Sequence, residues 1–251
     1  MNLQQSSSTA VVPRRQAGFS LIELMIAIVI AMVVTAGAIA VFGNMRSSFI
    51  SQDKLGQLQD GQRLALTVLN TTVQSAGYFP RPDLRTVTDT FPATSATPNK
   101  DGTSFLVEGG IVGSGTFSGT ASNVLNVRYS GSTDDGVMNC LGERFTKSSV
   151  TIPADVIVNT FEVINNQLTC RINGGTAVAL VDNVSSMKLQ YLVDKGGTYA
   201  YMDAPTVAAG SYWGTVSAVR ITLQFMDPFN AGADLPYKSI QIINLMNKNA
   251  S

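Results

Sequence analysis

The distribution of apolar residues divides the chain into a helical first third and a β-rich remainder. No proline occurs between Phe19 and Phe79, and residues 24–45 are apolar on every side. A helix that is apolar all round lies in a membrane or in the core of an assembly. We therefore predict one long helix over residues 19–79, with a transmembrane segment at about residues 21–45, since roughly 20 apolar residues span a bilayer.

Beyond Arg46 the apolar residues of this helix keep to one face. They recur at spacings of three, four and seven, at Leu55, Leu58, Ala65, Leu69, Val73 and Ala76. These spacings are those of an amphipathic helix that buries one side against another element. Gly77, followed by Pro80 and Pro82, marks the expected end of the helix.

After a proline-rich connection at residues 80–102, the pattern changes to short runs rich in Val, Ile, Thr and aromatic residues. Runs of this kind, bounded by Gly, Asn and Asp, predict strands. We place them at residues 104–108, 124–129, 156–164, 168–172, 177–181, 187–193, 216–225 and 239–245. Asn165-Asn166 is typical of a tight hairpin turn. The predicted class is α+β, with the long helix packed on an antiparallel sheet and a β-rich head over residues 80–251.

One carboxylate, Glu23, lies near the start of the apolar stretch. A charge inside a bilayer costs about 2.5–3.5 kcal/mol on insertion scales, so an ionisable residue there is a functional hypothesis by default. In a secretory signal peptide the cleavage site follows an apolar core that is shorter than this one. A plain membrane anchor explains everything except Glu23. In either case Arg14 and Arg15 predict a cytoplasmic N-terminal side.

The residues around Glu23 resemble the processing motif of type IV prepilins and type II secretion pseudopilins. The motif is a basic leader followed by Gly18-Phe19-Ser20-Leu21-Ile22-Glu23. The resemblance implies that residues 1–18 are a leader and that a prepilin peptidase cuts between Gly18 and Phe19 and methylates the new amine. It also implies that Glu23 meets the Phe19 amine of a neighbouring subunit in a filament core.

Shorter segments are similar to the PilW type of minor pilin. They include Ala76-Gly77-Tyr78, Asn139-Cys140-Leu141-Gly142 and residues 181–191. This resemblance implies a low-copy pilus subunit that acts in pilus assembly or priming, and so in motility, adhesion or DNA uptake. A J-type pseudopilin of a type II secretion system is the alternative, and a membrane-anchored periplasmic binding protein that never polymerises is a third.

The resemblance also implies where the protein lies and what it meets. It implies a single pass through a bacterial inner membrane with the head in the periplasm, and a place in the pilus after assembly. The implied partners are the prepilin peptidase, the inner-membrane assembly platform, the major pilin and other minor pilins, or pseudopilins in their place. Carried over from PilW-type pilins, Cys140 and Cys170 are a disulfide of the head.

Composition narrows the classes of function. The chain has no histidine, which excludes His-based triads and His-ligated metal sites. We expect no enzyme activity, cofactor or metal. Removal of the leader would take Arg14 and Arg15 from the 17 basic residues and leave 15 against 17 acidic residues. This balance argues against a broad basic surface for binding nucleic acid. Direct contact of the head with DNA or a host surface stays open.

The two cysteines, Cys140 and Cys170, both fall in the head. If the head lies outside the cytoplasm, they are expected to form a disulfide. The alternative, two separate buried thiols, stays open at this level because sequence does not reveal pairing.

Overall fold

The computed structural model describes residues 18–91, 112–113, 123–147, 156–230 and 232–246. The predicted strand at residues 104–108, together with Arg14 and Arg15, lies outside these ranges. The chain divides into two compact units, Met1–Gln52 and Asp53–Ser251. The longest element is the helix α1, Leu21–Gln74, of 54 residues, as the unbroken apolar and amphipathic pattern predicts.

The second unit contains two antiparallel sheets. The first has the strand order β1-β2-β3-β4-β5 and the second the order β7-β6-β8-β9. The strands of the first sheet are β1 (Val112–Gly113), β2 (Leu125–Ser130), β3 (Val156–Ile164), β4 (Gln167–Ile172) and β5 (Val178–Asp182). Those of the second are β6 (Val184–Asp194), β7 (Tyr199–Met202), β8 (Val216–Met226) and β9 (Asp234–Asn244). Two short helices complete the unit: α2 (Val87–Thr90) lies between α1 and β1, and α3 (Ala204–Ala209) lies between β7 and β8.

The α+β class is confirmed, but the single predicted sheet is divided in two. The division falls at Asn183, the one residue between β5 and β6. Asn183 has a φ of 61°, in the left-handed region that Asn tolerates better than most residues. This local turn ends one strand and directs the next into the second sheet.

The hairpin between β3 and β4 is confirmed. Asn165 and Asn166 have φ values of 51° and 60°, and two successive left-handed residues are the requirement of a type I′ turn.

The strand β7 was not predicted, because Tyr199–Met202 follows a glycine pair and looks like part of a loop. Its hydrogen bonds come from antiparallel pairing with β6, which no local pattern reveals.

The helix α1 packs its predicted face into the core of the second unit. Leu58, Ala65, Leu69 and Val73 of this face are buried. Leu55 is 43% exposed, so the prediction is wrong there. The buried residues of α1 begin only at Leu58, about one helical turn further on. Across from them lie Leu125, Val127, Phe161, Leu168, Leu223 and other buried strand residues.

The end of α1 is joined directly to the first sheet. Gly77 has a φ of 74°, which glycine adopts without steric cost. Its N–H donates to the carbonyl of Arg128 at 3.0 Å, and the N–H of Ser130 donates to the carbonyl of Tyr78 at 2.7 Å. Gly77 and Tyr78, just after the helix, therefore pair with the edge of β2. The predicted helix end at Gly77 is the point where helical hydrogen bonding gives way to strand pairing.

Candidate functional site

The predicted processing motif, residues 18–23, covers the residues just before α1 and the first residues of the helix. Gly18, Phe19 and Ser20 precede the first helical residue, Leu21. The carbonyl of Ser20 accepts hydrogen bonds from the N–H groups of Glu23 at 3.0 Å and Leu24 at 3.1 Å. Gly18 stands in open space, with no atom within 4 Å of the position that a Cβ would take. The Gly18–Phe19 junction is thus an accessible, non-helical segment immediately before a helix.

Glu23 lies in the first turn of α1. A carboxylate is favoured there because the unpaired N–H groups at a helix start carry partial positive charge. Its neighbours are exposed apolar side chains, including Ile22, Leu24 and Ile26. Within the described residues, no salt bridge or side-chain hydrogen bond of Glu23 is present. The site therefore presents one carboxylate in an apolar environment, which is the arrangement that calls for a cationic partner.

The apolar part of α1 has the length and composition of a membrane span. Among the described residues, α1 contains a window that is long enough and apolar enough to cross a bilayer, and none of that window is buried within the protein. Large side chains such as Met32, Ile39 and Phe42 are more than half exposed. So extensive an exposed apolar surface needs a lipid or protein environment outside this chain.

Cys140 and Cys170 are joined by a disulfide, with 6.5 Å between their Cα atoms. Cys170 lies on β4 opposite Phe161 of β3, and Cys140 lies in the loop after β2. The N–H of Cys140 also donates to the side-chain oxygen of Asn159 at 2.9 Å. The bond holds this loop against the first sheet, and the alternative of two separate thiols is excluded in this structure.

A cavity of about 450 Å³ lies between α1 and the loop that carries Cys140. Its helical side includes Thr67, Thr71 and Ser75, whose hydroxyls each donate to the carbonyl four residues earlier. Burial raises the pKa of Tyr78, and the carboxylate of Asp135 on the loop side raises it further. Because the hydroxyl donors are already bonded to the helix, the cavity presents few free polar groups to a ligand.

Asp135 itself belongs to a turn. Its carboxylate accepts the N–H groups of Ser132 at 2.9 Å and Val137 at 3.0 Å, and Gly136 has a φ of 73°. An Asp side chain bonded to its own backbone stabilises a turn. Asp135 and Gly136 therefore form an Asp-Gly turn.

Sequence reasoning missed a row of buried polar side chains on the first sheet. The hydroxyl of Thr160 donates to the side-chain oxygen of Asn126 at 2.7 Å, and Arg171 forms a salt bridge with the buried Glu162. The pairing of Arg171 with Glu162 could have been predicted from the sequence. A two-residue turn at Asn165 places Thr169 opposite Glu162, and Arg171 is then a diagonal neighbour on the same face.

Comparison with known proteins supports the N-terminal motif. Residues 13–39 match the family described as "Prokaryotic N-terminal methylation motif". This match includes Gly18, Phe19 and Glu23, as well as Arg14 and Arg15. No curated protein matches the chain. Among solved structures, a type IV-like pilin from Thermus thermophilus matches with 16% identity and a TM-score of 0.38, covering 76% of this chain and 98% of that one.

Proposed function

We propose that this protein is a membrane-anchored prepilin of the PilW type, a minor subunit that takes part in the assembly or priming of a type IV pilus. The observation that carries the proposal is the coincidence of two features. The methylation motif over residues 13–39 opens a helix whose apolar segment is exposed. A plain anchor requires only the second feature.

Processing requires that the peptidase reach the bond between Gly18 and Phe19. This bond precedes the helix, and the space around Gly18 is open. A side chain at position 18 would project toward the enzyme, whereas glycine projects nothing. Cleavage would leave Phe19 as the new N-terminus, four residues before Glu23.

Assembly would move the apolar part of α1 from lipid to a bundle of similar helices. Such a transfer keeps the side chains in apolar surroundings, and helix association then depends on packing and polar pairs. Glu23 and the Phe19 amine of a neighbouring subunit would neutralise each other. Leaving one buried charge without its partner costs about 3–5 kcal/mol, so the pair would select the correct register between subunits.

The minor-pilin assignment is supported by the PilW-like segments, which lie just after the long helix and in the head. A head of this size also fits a low-copy subunit better than a major pilin. A J-type pseudopilin shares the N-terminal motif, and processed protein in sheared surface filaments would favour the pilus subunit over it.

The test is the mass of the N-terminal peptide in sheared surface filaments and in membranes. We expect N-methylated Phe19 in the filament fraction. Methylated Phe19 found in the membrane fraction alone would favour a priming or secretion-system role. An intact leader in every fraction would refute the proposal and leave an anchored periplasmic protein.

Two variants separate processing from assembly. Gly18→Asp should leave the full-length form uncut, seen as lower mobility on a gel. Glu23→Val should be cut and membrane-bound but depleted from filaments. Asp60→Val is the matched control, because it removes an exposed carboxylate from the same helix outside the apolar segment. Normal amounts of Glu23→Val in filaments, or equal depletion of both carboxylate variants, would contradict the role given to Glu23.

A further inference from the structure

The strand β9 forms one edge of the second sheet. It pairs with β8 on one side, and within the described part of the chain no strand pairs with its other side. At 11 residues it is long for an edge strand. An unpaired edge presents a row of free N–H and C=O groups and is a template for pairing with another strand.

The register of β9 shows which of its backbone groups are free. The N–H of Leu245 donates to the carbonyl of Ser217 at 3.0 Å, so these two residues are a hydrogen-bonded pair. In an antiparallel ladder such pairs alternate with pairs whose backbone groups point away. The register between β8 and β9 is unbroken from Asn244 to Lys238. The outward-pointing backbone groups therefore belong to the even-numbered residues Lys238, Ile240, Ile242 and Asn244.

The side chains of these residues are also exposed. Ile243 and Leu245 of the opposite face are anchored in the core, at 1% and 7% exposure. Ile240 and Ile242 consequently point away from the core and are 61% and 50% exposed. The same stretch thus combines free ladder groups with exposed branched aliphatic side chains, which favour strand pairing.

The edge is protected in its first half and open in its second. Pro236 has no N–H to offer a further strand, and Lys238 places a charge two residues beyond it. Proline and lysine are the residues by which natural proteins block edge pairing. No such residue follows between Ser239 and Asn244. The open part is therefore short and defined.

We infer that β9 pairs with β9 of a second copy of this chain, in an antiparallel ladder centred on Gln241. In this register Ile240 lies opposite Ile242 of the second copy, and Lys238 lies opposite Asn244. Each of the four residues with outward backbone groups then has a hydrogen-bonding partner in the second copy. The isoleucine side chains of the two copies contact each other, and no two like charges lie opposite each other. A register centred on Lys238 would instead place two lysines face to face, which is destabilising. The inference does not rest on filament assembly.

The register predicts one symmetric contact that is easily tested. The two copies of Gln241 form a non-hydrogen-bonded pair, with Cα atoms about 4.5 Å apart, within the range for a disulfide. The two copies of Lys238 are displaced by six residues, about 20 Å along the strand. Gln241→Cys should therefore cross-link to itself, whereas Lys238→Cys on the same exposed strand should not.

The experiment uses the purified full-length chain in mild detergent, oxidised with copper phenanthroline and run on a non-reducing gel. We expect about ten-fold more disulfide-linked dimer from Gln241→Cys than from Lys238→Cys, since only the first pair lies within disulfide distance. Association through the apolar helices would not distinguish these positions, so equal cross-linking of the two variants would overturn the inference. A monomer from both would do the same.

A second variant tests the ladder itself. Ile240→Pro, added to Gln241→Cys, removes an outward N–H without removing a bond to β8, and proline is tolerated at such an edge. The dimer yield should fall to that of Lys238→Cys. Retention of the Cys140–Cys170 disulfide and an unchanged circular dichroism spectrum would show that the fold survives. Undiminished cross-linking in this folded variant would refute pairing through β9.

Discussion

Single residues fix the close contacts of the head, and Gly131 is the clearest case. A Cβ at this position would lie 2.4 Å from the ring of Phe145. That ring is 3% exposed and packs beside Tyr129, with 6.1 Å between ring centroids. Glycine is required here by the proximity of a buried ring, which sequence alone does not indicate.

We predict that Gly131→Ala destabilises the head by about 1–3 kcal/mol, the usual range for overpacking a core. Urea unfolding followed by tryptophan fluorescence measures the change. Gly56→Ala is the control, since no atom lies within 4 Å of its Cβ position and alanine is favoured over glycine in a helix by about 1 kcal/mol. Equal midpoints for the two variants would show that the ring of Phe145 moves aside freely.

At the scale of elements, the disulfide connects a loop with little regular structure to β4 of the first sheet. Cys140 and Cys170 are separated by 30 residues. Outside its paired stretches, the loop carrying Cys140 depends on turns such as that of Asp135. Closing this loop reduces the conformational freedom of the unfolded chain, which favours the folded state.

We predict that Cys140→Ala with Cys170→Ala lowers the free energy of unfolding by about 2–5 kcal/mol. Denaturant unfolding of oxidised and reduced wild-type protein provides the comparison, and reductant should have no effect on the double variant. If the oxidised and reduced proteins unfold at the same midpoint, the disulfide contributes nothing to stability.

At the scale of the whole molecule, the two units differ in how they meet solvent. Every described residue of the first unit up to Ile50 is exposed, and the buried residues of α1 begin at Leu58. The second unit contains the core, both sheets and the disulfide. Its stability therefore depends on its own buried surface, since none of the first unit's described residues, 18–52, belongs to the core.

We predict that a chain beginning at Asp53 folds without detergent and forms the Cys140–Cys170 disulfide. Size-exclusion chromatography, circular dichroism and thermal unfolding test this. A chain beginning at Thr71 is the control, because it lacks the buried Leu58, Ala65 and Leu69, and losing such residues costs several kcal/mol each. Aggregation of the longer fragment would show that the first unit is needed for folding.

Much of this protein was predictable from sequence because the signals are local. The apolar run, the helical period that buried Leu58 and Leu69, the Asn165-Asn166 turn and the methylation motif each depend on neighbours along the chain. Helix formation, turn geometry and membrane insertion are set over such short distances.

The division into two sheets, the strand β7, the exposure of Leu55 and the ring beside Gly131 were decided by tertiary structure. So was the open edge at Ile240 and Ile242, whose pattern alone reads as an ordinary buried strand. Each depends on which segment from elsewhere in the chain lies alongside. Contacts between segments far apart in sequence produce no local pattern of residues from which they could be predicted.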